Sequence, residues 1–425
     1  MKRIWGAFLL GLLLASPAAA SSSLQQLIDE TPAGGTLLLE SGTYEGNISI
    51  TKPITIKGKA GTHILGDQTG NVVAVRATGV QLEDLHISGS GKSRSSSEEY
   101  AAVKVYGEGN VLKDLDITDS FHGIYLSKAH HTTIDHVTVK GSGNGEIAGQ
   151  GNGLQIYYAN DTILTNNTIS GTRDGMFFNY SNHNVVTGNT ISKTRYGLHY
   201  MYSDDNEFYR NTFSYNSGGA AIMNSNRLLL MGNKFIFNQG ARSFGLLLQM
   251  ANDITAAGNT FMQNQRGVYS DQSLRQTFRG NTFFHNDVGV EVWASSQGLE
   301  FQQNAFEKNV AAVLALGGMT DTKWQGNQWD REQVNLDLNQ DGRADEAVTL
   351  QSSLRNLLEQ NEIAYLFLKS PALPLYEKIH EWTHEQTAMA VDPEPMLVKR
   401  AMPVSLGWGA AVLGAVLVWR RRLSK

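Results

Sequence analysis

The chain has 425 residues, of which 41% are hydrophobic and 18% are charged, so it can bury a large core, which argues against global disorder. Its formal net charge of −5, with no long basic run outside the C-terminal tail, argues against nucleic acid as a partner. The absence of cysteine excludes a disulfide scaffold and an acylated lipoprotein, so packing alone must stabilise the fold.

Residues 1–20 predict a signal peptide. Lys2 and Arg3 form its positive start, and an apolar segment runs from Phe8 to Ala15. The small residues at 18–20 offer a cleavage site before Ser21. The apolar run is too short to cross a membrane, so we expect the chain to be exported.

The mature chain begins with a predicted cap. Leu24 to Ile28 reads as a short amphipathic helix over the first coil of a repeat. The stretches Gly35 to Leu39 and Gly42 to Tyr44 then predict the first strands. A cap is needed because the open edge of a sheet templates aggregation.

A four-residue corner recurs through the middle of the chain, and its second residue is always asparagine. These asparagines are separated by 22, 22, 22, 26, 22, 23 and 23 residues and are Asn167, Asn189, Asn211, Asn233, Asn259, Asn281, Asn304 and Asn327. A second column keeps the same step, including the 26-residue interval; it consists of Gly153, Gly175, Gly197, Gly219, Gly245, Gly267 and Gly289. The frame extends backward through Leu85, Leu115 and Val137, with 30-residue steps where loops 91–100 and 141–151 intrude.

Short β-rich coils with glycine turns predict an all-β fold, a right-handed parallel β-helix over residues 21–334. The period is too short for tetratricopeptide or ankyrin units, and the leucine-rich consensus is absent. Eleven or twelve coils, each adding about 4.8 Å, would make a rod roughly 55 Å long. Stacked corner asparagines can bond their amides along the column, so we interpret them as structural.

Strand alternation after each marker glycine predicts which side chains face outward. Leu154 and Ile156, for example, should point into the core. The outward positions include a predicted docking face of aromatic residues, namely Tyr125, Tyr157, Phe177, Tyr269 and Trp293. They also include His199, Met201 and Met223, whose imidazole and thioether groups suit Cu(I). On spacing alone, an adaptable docking patch for a partner protein is the favoured interpretation of this face.

An acidic loop follows the repeat at residues 335–348. Asp337, Asn339, Asp341 and Asp345 occupy ligand positions of a calcium loop, but Val348 stands where a bidentate Glu is expected. A structural calcium site is the favoured interpretation, and a polar turn without metal is the alternative.

Residues 349–400 predict a helical tail and linker. Helices are expected from Leu354 to Leu368 and from Leu375 to Trp382, with Pro371 and Pro374 between them. They should cover the last coil and lead toward a membrane.

Residues 401–419 contain no charged side chain, and nineteen helical residues span about 28 Å, close to the thickness of a bilayer. The basic tail at residues 420–425, with Arg420 to Arg422, should stay in the cytoplasm. The sequence therefore predicts one C-terminal transmembrane helix that holds the body on the periplasmic face of the cytoplasmic membrane. A removable sorting tail is the alternative.

The β-helix also hosts lyases, glycosidases and epimerases of polysaccharides, so the fold alone leaves function open. Such enzymes need paired carboxylates or a basic side chain on one face. Asp174, Asp204, Asp205 and Arg195 are the candidates, but we expect them mainly in turns, without a compact carboxylate cluster. No nucleophile, phosphate-loop or zinc pattern is apparent, so no catalytic residues are predicted. A polysaccharide-binding or polysaccharide-modifying protein remains the alternative function.

The stretch Arg173-Asp174-Gly175, followed by Arg195-Tyr-Gly-Leu-His-Tyr-Met201 in asparagine-rich coils, resembles the NosD family. The resemblance implies a non-catalytic periplasmic factor in the maturation of nitrous oxide reductase. Its implied partners are the permease and ATPase subunits of an ABC transporter, a copper chaperone and the apo-reductase. It also favours Cu(I) binding at His199, Met201 and Met223. The C-terminal membrane segment is a departure from many members.

Overall fold

The computed structural model describes residues 13–15, 23–93, 97–143, 147–240, 242–318, 320–330, 336–351, 354–360, 362–383 and 388–397. Over these residues the chain forms an all-β solenoid of about 13 turns with few helices. The all-β prediction is confirmed, and the solenoid has one or two turns more than the corners predict. Leu13–Ala15 pairs in parallel with residues 37–39, and the rest of the predicted signal peptide lies outside the described residues.

Every strand of the solenoid pairs in parallel with strands of the neighbouring turns. The 12-stranded sheet contains Ile48–Ile50, Val73–Val75, Ala101–Val105, His122–Ser127, Leu154–Tyr157, Asp174–Asn179, Tyr196–Met201, Gly218–Met223, Phe244–Gln249, Arg266–Asp271, Val288–Trp293 and Ala311–Leu316. The 25-stranded sheet contains Leu13–Ala15, Thr36–Leu39, Gly42–Glu45, Thr55–Gly58, Thr62–Leu65, Gln81–Ser88, Val111–Ile117, Thr133–Asp135, Thr138–Lys140, Ile163–Thr165, Thr168–Ser170, Val185–Thr187, Thr190–Ser192, Glu207–Tyr209, Thr212–Ser214, Leu229–Met231, Lys234–Ile236, Ile254–Ala257, Thr260–Met262, Leu274–Arg279, Thr282–Phe284, Gln297–Gln302, Ala305–Glu307, Asp321–Gln325 and Gln328–Trp329.

The core lies between the two sheets and is built from stacked columns of like side chains. Leu154 and Ile156 are fully buried, as strand alternation predicts. Phenylalanines 213, 235, 261, 283 and 306 form one aromatic column, with successive ring centroids 4.6 to 5.3 Å apart. The marker glycines are required by close packing: a Cβ on Gly197 would lie 2.7 Å from the carbonyl oxygen of Gly219.

The corner asparagines are structural, as predicted. Asn211 Oδ1 accepts hydrogen bonds from the backbone N–H and the side-chain amide of Asn189, at 3.0 and 2.9 Å. Each asparagine therefore satisfies backbone groups that the turn would leave unpaired inside the protein. The ladder ends at Asp392, whose Oδ2 accepts from the backbone N–H of Asn327 at 2.8 Å and from its amide at 3.0 Å.

Both ends of the solenoid are covered. Helix α1, Leu24–Glu30, lies where a helix is predicted, and its Leu24 and Ile28 are buried. At the other end, Val348–Gln351 and Ala388–Asp392 form a two-stranded antiparallel sheet, and Ala388–Asp392 contacts strand Asp321–Gln325.

The C-terminal tail consists of α2 (Leu354–Gln360), a 3₁₀ helix (Glu362–Phe367) and α3 (Ala372–Thr383). Helices occur in both predicted stretches, but Pro374 lies inside α3 rather than before it. The first turn of a helix tolerates proline because its N–H groups have no helical partner. The tail packs beside the last coils, over the outward side of the 12-stranded sheet, and α2 contacts strand Ala311–Leu316.

No helix in the described part of the chain is long and apolar enough to cross a membrane. The predicted transmembrane segment at residues 401–419 and the basic tail at 420–425 lie outside that part.

Candidate functional site

The candidate site lies on the outward side of the 12-stranded sheet, at strands Asp174–Asn179, Tyr196–Met201 and Gly218–Met223. The strand register pairs Met201 with Met223, so their side chains occupy one column on adjacent coils. His199 lies two residues before Met201 on the same side of the strand, and its own register neighbours are Phe177 and Ala221. The three predicted copper ligands therefore share one side of two adjacent strands.

A buried carboxylate anchors this site from the preceding coil. Asp174 accepts two hydrogen bonds from Arg195, from Nε at 2.9 Å and from Nη2 at 2.6 Å. Its Oδ2 also lies 3.0 Å from His199 Nδ1. The Asp174 side chain is only 2% exposed, whereas the Arg195 side chain is 28% exposed. Such a bidentate pair fixes both distance and orientation.

The hydrogen-bond pattern fixes the tautomer of His199. Asp174 Oδ2 lies nearer to Nδ1, at 3.0 Å, than Arg195 Nη2 does, at 3.4 Å, and a carboxylate can only accept. In the neutral imidazole, Nδ1 therefore donates to Asp174 and Nε2 carries the lone pair. Phe177 stacks on the imidazole at 4.3 Å, and Tyr196 meets it edge-on at 5.4 Å. The ring is held on these sides, and 13% of the side chain stays accessible. His199 can therefore offer Nε2 as a metal ligand or as a base.

The charge of Asp174 is maintained by its partners. Burial by itself would raise the pKa of this carboxyl, but hydrogen bonds from His199 and Arg195 outweigh burial and hold its pKa below the ordinary value. The carboxylate is consequently ionised at neutral pH and balances the guanidinium of Arg195.

The prediction that Asp174 lies in a turn is wrong, because Asp174 begins strand Asp174–Asn179 and its side chain is buried. The sequence repeat could have predicted this contact, because it places Asp174 in register with Tyr196 on the next coil, and Arg195 directly precedes Tyr196. Asp204 and Asp205 do lie between strands, where both form partly exposed ion pairs with Arg227.

At its N-terminal end, the outward face is covered by the loop that lengthens one coil. Tyr125 points outward but is only 5% exposed, so its predicted role on an open docking face is wrong. Its hydroxyl donates to Glu99 at 3.0 Å, and the Lys104 ammonium lies 4.5 Å from its ring centroid. Glu99, just before strand Ala101–Val105, thus lies over the outward face, which the period alone does not reveal.

At its C-terminal end, the outward face is covered by the tail. Glu291 is buried and accepts hydrogen bonds from Arg266 and from the Tyr365 hydroxyl, each at 2.7 Å. The predicted docking residues Tyr269 and Trp293 lie beside this cluster and are half-buried. The Trp293 indole donates to Glu291 at 3.3 Å. Tyr157 and Phe177, also half-buried, lie nearer the candidate site.

A ladder of exposed tyrosines borders the site, and strand alternation did not predict it. Tyr158, Tyr180 and Tyr202 each follow a strand of the 12-stranded sheet and adopt left-handed backbone angles. Their rings stack with centroids 4.8 and 5.0 Å apart. The 22-residue spacing of the three tyrosines could have revealed the ladder.

In the acidic loop, aspartate side chains accept hydrogen bonds from backbone N–H groups of the same loop. Asp337 accepts from the backbone N–H groups of Asp341 and Gly342 at 3.1 and 3.0 Å, and Asp345 accepts from Leu338 at 2.7 Å. No group of three or more His, Asp or Glu side chains able to hold a metal ion occurs in the residues that the structure describes. Calcium binding by Asp337, Asn339, Asp341 and Asp345 stays a prediction.

Part of the chain matches a described protein family. Residues 141–336 match the family described as periplasmic copper-binding protein (NosD), and residues 70–204 match a right-handed β-helix region. A Pseudomonas aeruginosa protein described as probable ABC transporter binding protein NosD is 24% identical over 162 residues. Together these matches support the resemblance to the NosD family. The matched segment contains the whole candidate site, whereas the alignment to the Pseudomonas aeruginosa protein spans only 38% of each chain.

Solved structures of similar fold include polysaccharide enzymes. The periplasmic alginate epimerase AlgG is 14% identical, with 73% of this chain and 83% of that chain covered and a TM-score of 0.47. The A-module of the Azotobacter vinelandii mannuronan C-5 epimerase AlgE6 is 12% identical, with 73% and 94% covered and a TM-score of 0.49. Likeness at this level concerns the fold and carries no information on the chemistry of this chain.

Proposed function

We propose that this chain is an extracytoplasmic accessory protein of the NosD family, which acts with an ABC transporter in maturing the copper–sulfur centres of nitrous oxide reductase. In this proposal it receives Cu(I) as cargo at His199, Met201 and Met223. The family description as periplasmic and copper-binding supports the location and the metal, and the name of the Pseudomonas aeruginosa relative supports the transporter partner.

The observation that carries the proposal is the donor set on two adjacent strands. The thioethers of Met201 and Met223 belong to register neighbours, whose backbones lie about 4.8 Å apart. His199 adds its Nε2 atom as a donor. Its other ring nitrogen, Nδ1, is hydrogen-bonded to the Asp174 carboxylate, an arrangement common among metal-binding histidines. Soft sulfur and borderline nitrogen donors fit Cu(I), and the Asp174–Arg195 pair adds no net charge.

A Cu(I) titration tests the site. The full chain is titrated anaerobically in competition with a chromophoric Cu(I) chelator, as wild type and as the double variant Met201→Leu with Met223→Leu. Leucine keeps the volume of methionine but removes the sulfur, so the fold is retained. Met231→Leu, on the 25-stranded sheet, is the matched control. We expect the double variant to bind Cu(I) at least tenfold more weakly and the control to match wild type. Equal affinity in all three proteins would exclude the thioethers as ligands.

The proposed partners are the permease and ATPase subunits, a copper chaperone and the apo-reductase. We propose that residues 401–419 anchor the body to the membrane, which would place the open part of the face near a membrane-embedded permease. Co-purification of the full chain with the permease and ATPase from detergent-solubilised membranes tests the transporter contact. Recovery of the chain without either subunit would contradict it.

Acid–base chemistry on a polysaccharide is a second candidate function, favoured by one observation. A histidine oriented by a buried carboxylate can also act as a general base. Epimerisation or cleavage of polyuronate by the full chain, abolished by His199→Ala, would favour this function. A tight Cu(I) complex without any change to polyuronate would favour the accessory role.

A further inference from the structure

The apolar side of helix α3 faces solvent rather than the body of the protein. Leu375, Ile379 and Trp382 follow helical spacing and are 62%, 50% and 75% exposed. The half-buried side of the helix carries Tyr376 and His380 instead. A surface helix of a soluble protein normally buries its apolar stripe, so this orientation is reversed. We call Leu375, Ile379 and Trp382 the outer face of α3.

The outer face lies at the end of the solenoid from which the apolar segment departs. Leu373, at the start of α3, belongs to one buried cluster with Leu316, on the last strand of the 12-stranded sheet, and Met389, on the two-stranded antiparallel sheet. The chain then stays attached to that end, because Met396 donates to Asn327 at 3.0 Å and Leu397 donates to Gly342 at 3.2 Å. Residue 401 lies four positions after Leu397, which an extended chain spans in at most about 14 Å.

This short distance to residue 401 indicates that the outer face of α3 contacts a membrane. If residues 401–419 enter a bilayer, as the proposed function holds, the end of the solenoid must lie within about one and a half nanometres of the membrane surface. A tryptophan and two aliphatic side chains on one side of a helix are suited to the boundary between lipid headgroups and acyl chains. Lys378 is exposed between them and can reach the headgroups with its ammonium.

We propose that the outer face of α3 lies in the membrane interface and, together with the anchor, fixes how the solenoid stands on the bilayer. The inference rests on the proposed anchoring but not on copper binding. It assigns α3 a lipid partner, so the helix restrains the rotation that a single flexible tether would allow.

The absence of cysteine makes the test direct. Single cysteines replace Trp382, Ala410 or Tyr215 in the full chain and are labelled with an environment-sensitive fluorophore. Each protein is reconstituted into vesicles of phosphatidylcholine and phosphatidylglycerol with or without brominated lipids. Position 410 reports the anchor, and Tyr215, which is 59% exposed on the solenoid, is the control for lipid contact. Aqueous iodide is the second quencher.

We expect brominated lipid to quench the probes at 382 and 410 at least twofold and to leave the probe at 215 unchanged. Quenching at 410 with a probe at 382 that behaves like the one at 215 would overturn the inference and leave the anchor standing. A probe at 382 that is shielded from both lipid and iodide would indicate a protein partner and would also overturn it. No quenching at 410 would overturn the anchor and this inference together, without affecting the Cu(I) titration.

Discussion

Replacing Asp174 with asparagine removes one negative charge from the centre of the candidate site while keeping its shape. The carboxylate accepts from Arg195 at 2.9 and 2.6 Å and lies 3.0 Å from His199 Nδ1. An asparagine keeps one acceptor oxygen and turns the other atom into a donor, so it cannot serve both partners. Either the guanidinium loses part of its bidentate bond, or the imidazole loses the group that fixes its tautomer.

The magnitude follows from burial. Removing one partner of a buried ion pair costs roughly 3–5 kcal/mol in the free energy of unfolding. Water can partly solvate Arg195, whose side chain is 28% exposed, so we expect a loss of about 2–3 kcal/mol. Loss of a group that orients a metal-binding histidine lowers metal affinity about 10- to 100-fold. We expect Asp174→Asn to weaken Cu(I) binding by that factor.

Asp253→Asn is the matched control because Asp253 forms the same bidentate pair with Arg275, at 2.6 and 2.8 Å, on the surface. Its loss is expected to cost less than about 1 kcal/mol, because exposed ion pairs contribute little. Urea denaturation gives the change in unfolding free energy, chelator competition gives the Cu(I) affinity, and ¹⁵N NMR of labelled histidine reports the His199 tautomer. If Asp174→Asn and Asp253→Asn behave alike in all three measurements, Asp174 does not position His199.

Three further predictions concern the pH dependence and the frame of the solenoid. The pKa of Asp174 is lower in the folded protein than in the unfolded chain. The ionised carboxylate therefore stabilises the fold above the unfolded pKa of about 3.9, and this stabilisation is lost as the pH falls through the folded pKa. In Asp174→Asn, we expect the unfolding free energy measured by denaturation to fall less steeply over this acidic range. Gly197→Ala should lower the unfolding free energy by about 3 kcal/mol, because the added methyl group overpacks the core. Gly258→Ala should lower it by about 1 kcal/mol, because the site has open space but a φ of +62°. Equal losses in the two variants would contradict the packing argument. Asp392→Ala should cost about 3 kcal/mol because buried donors of Asn327 lose their acceptor. Asp392→Asn should restore only part of it in the same assay, because the atom that accepts from Gly326 and Glu394 becomes a donor.

Much of the solenoid could be predicted from the sequence because its determinants are local and repeated. Strand alternation is a property of each short strand, so the buried positions of Leu154 and Ile156 followed directly from the marker glycines. The ladder of Asn189 and Asn211 followed from a fixed spacing, since equal spacing places equal residues on adjacent coils.

The candidate site could be predicted only in part, because its decisive contacts join different coils. The column of Met201 and Met223 follows from the period, but the burial of Asp174 depends on how Arg195 folds across the corner. Tyr125 is covered by residues that are inserted into a coil beyond its 22-residue repeat. The repeat itself does not indicate where such inserted residues lie.

The covering of both ends decides where a partner can reach the outward face. Loop residues such as Glu99 close the face over Tyr125, and Tyr365 of the tail closes it over Glu291. Buried ion pairs contribute little net stability compared with apolar packing, so the Arg266–Glu291 pair is better explained by its geometric specificity, which seats the tail in one position. The strand bearing His199 lies between the two covers and retains accessible surface. Under the proposed function, a docking protein that takes Cu(I) would approach across the middle coils, along the exposed tyrosine ladder that begins at Tyr158.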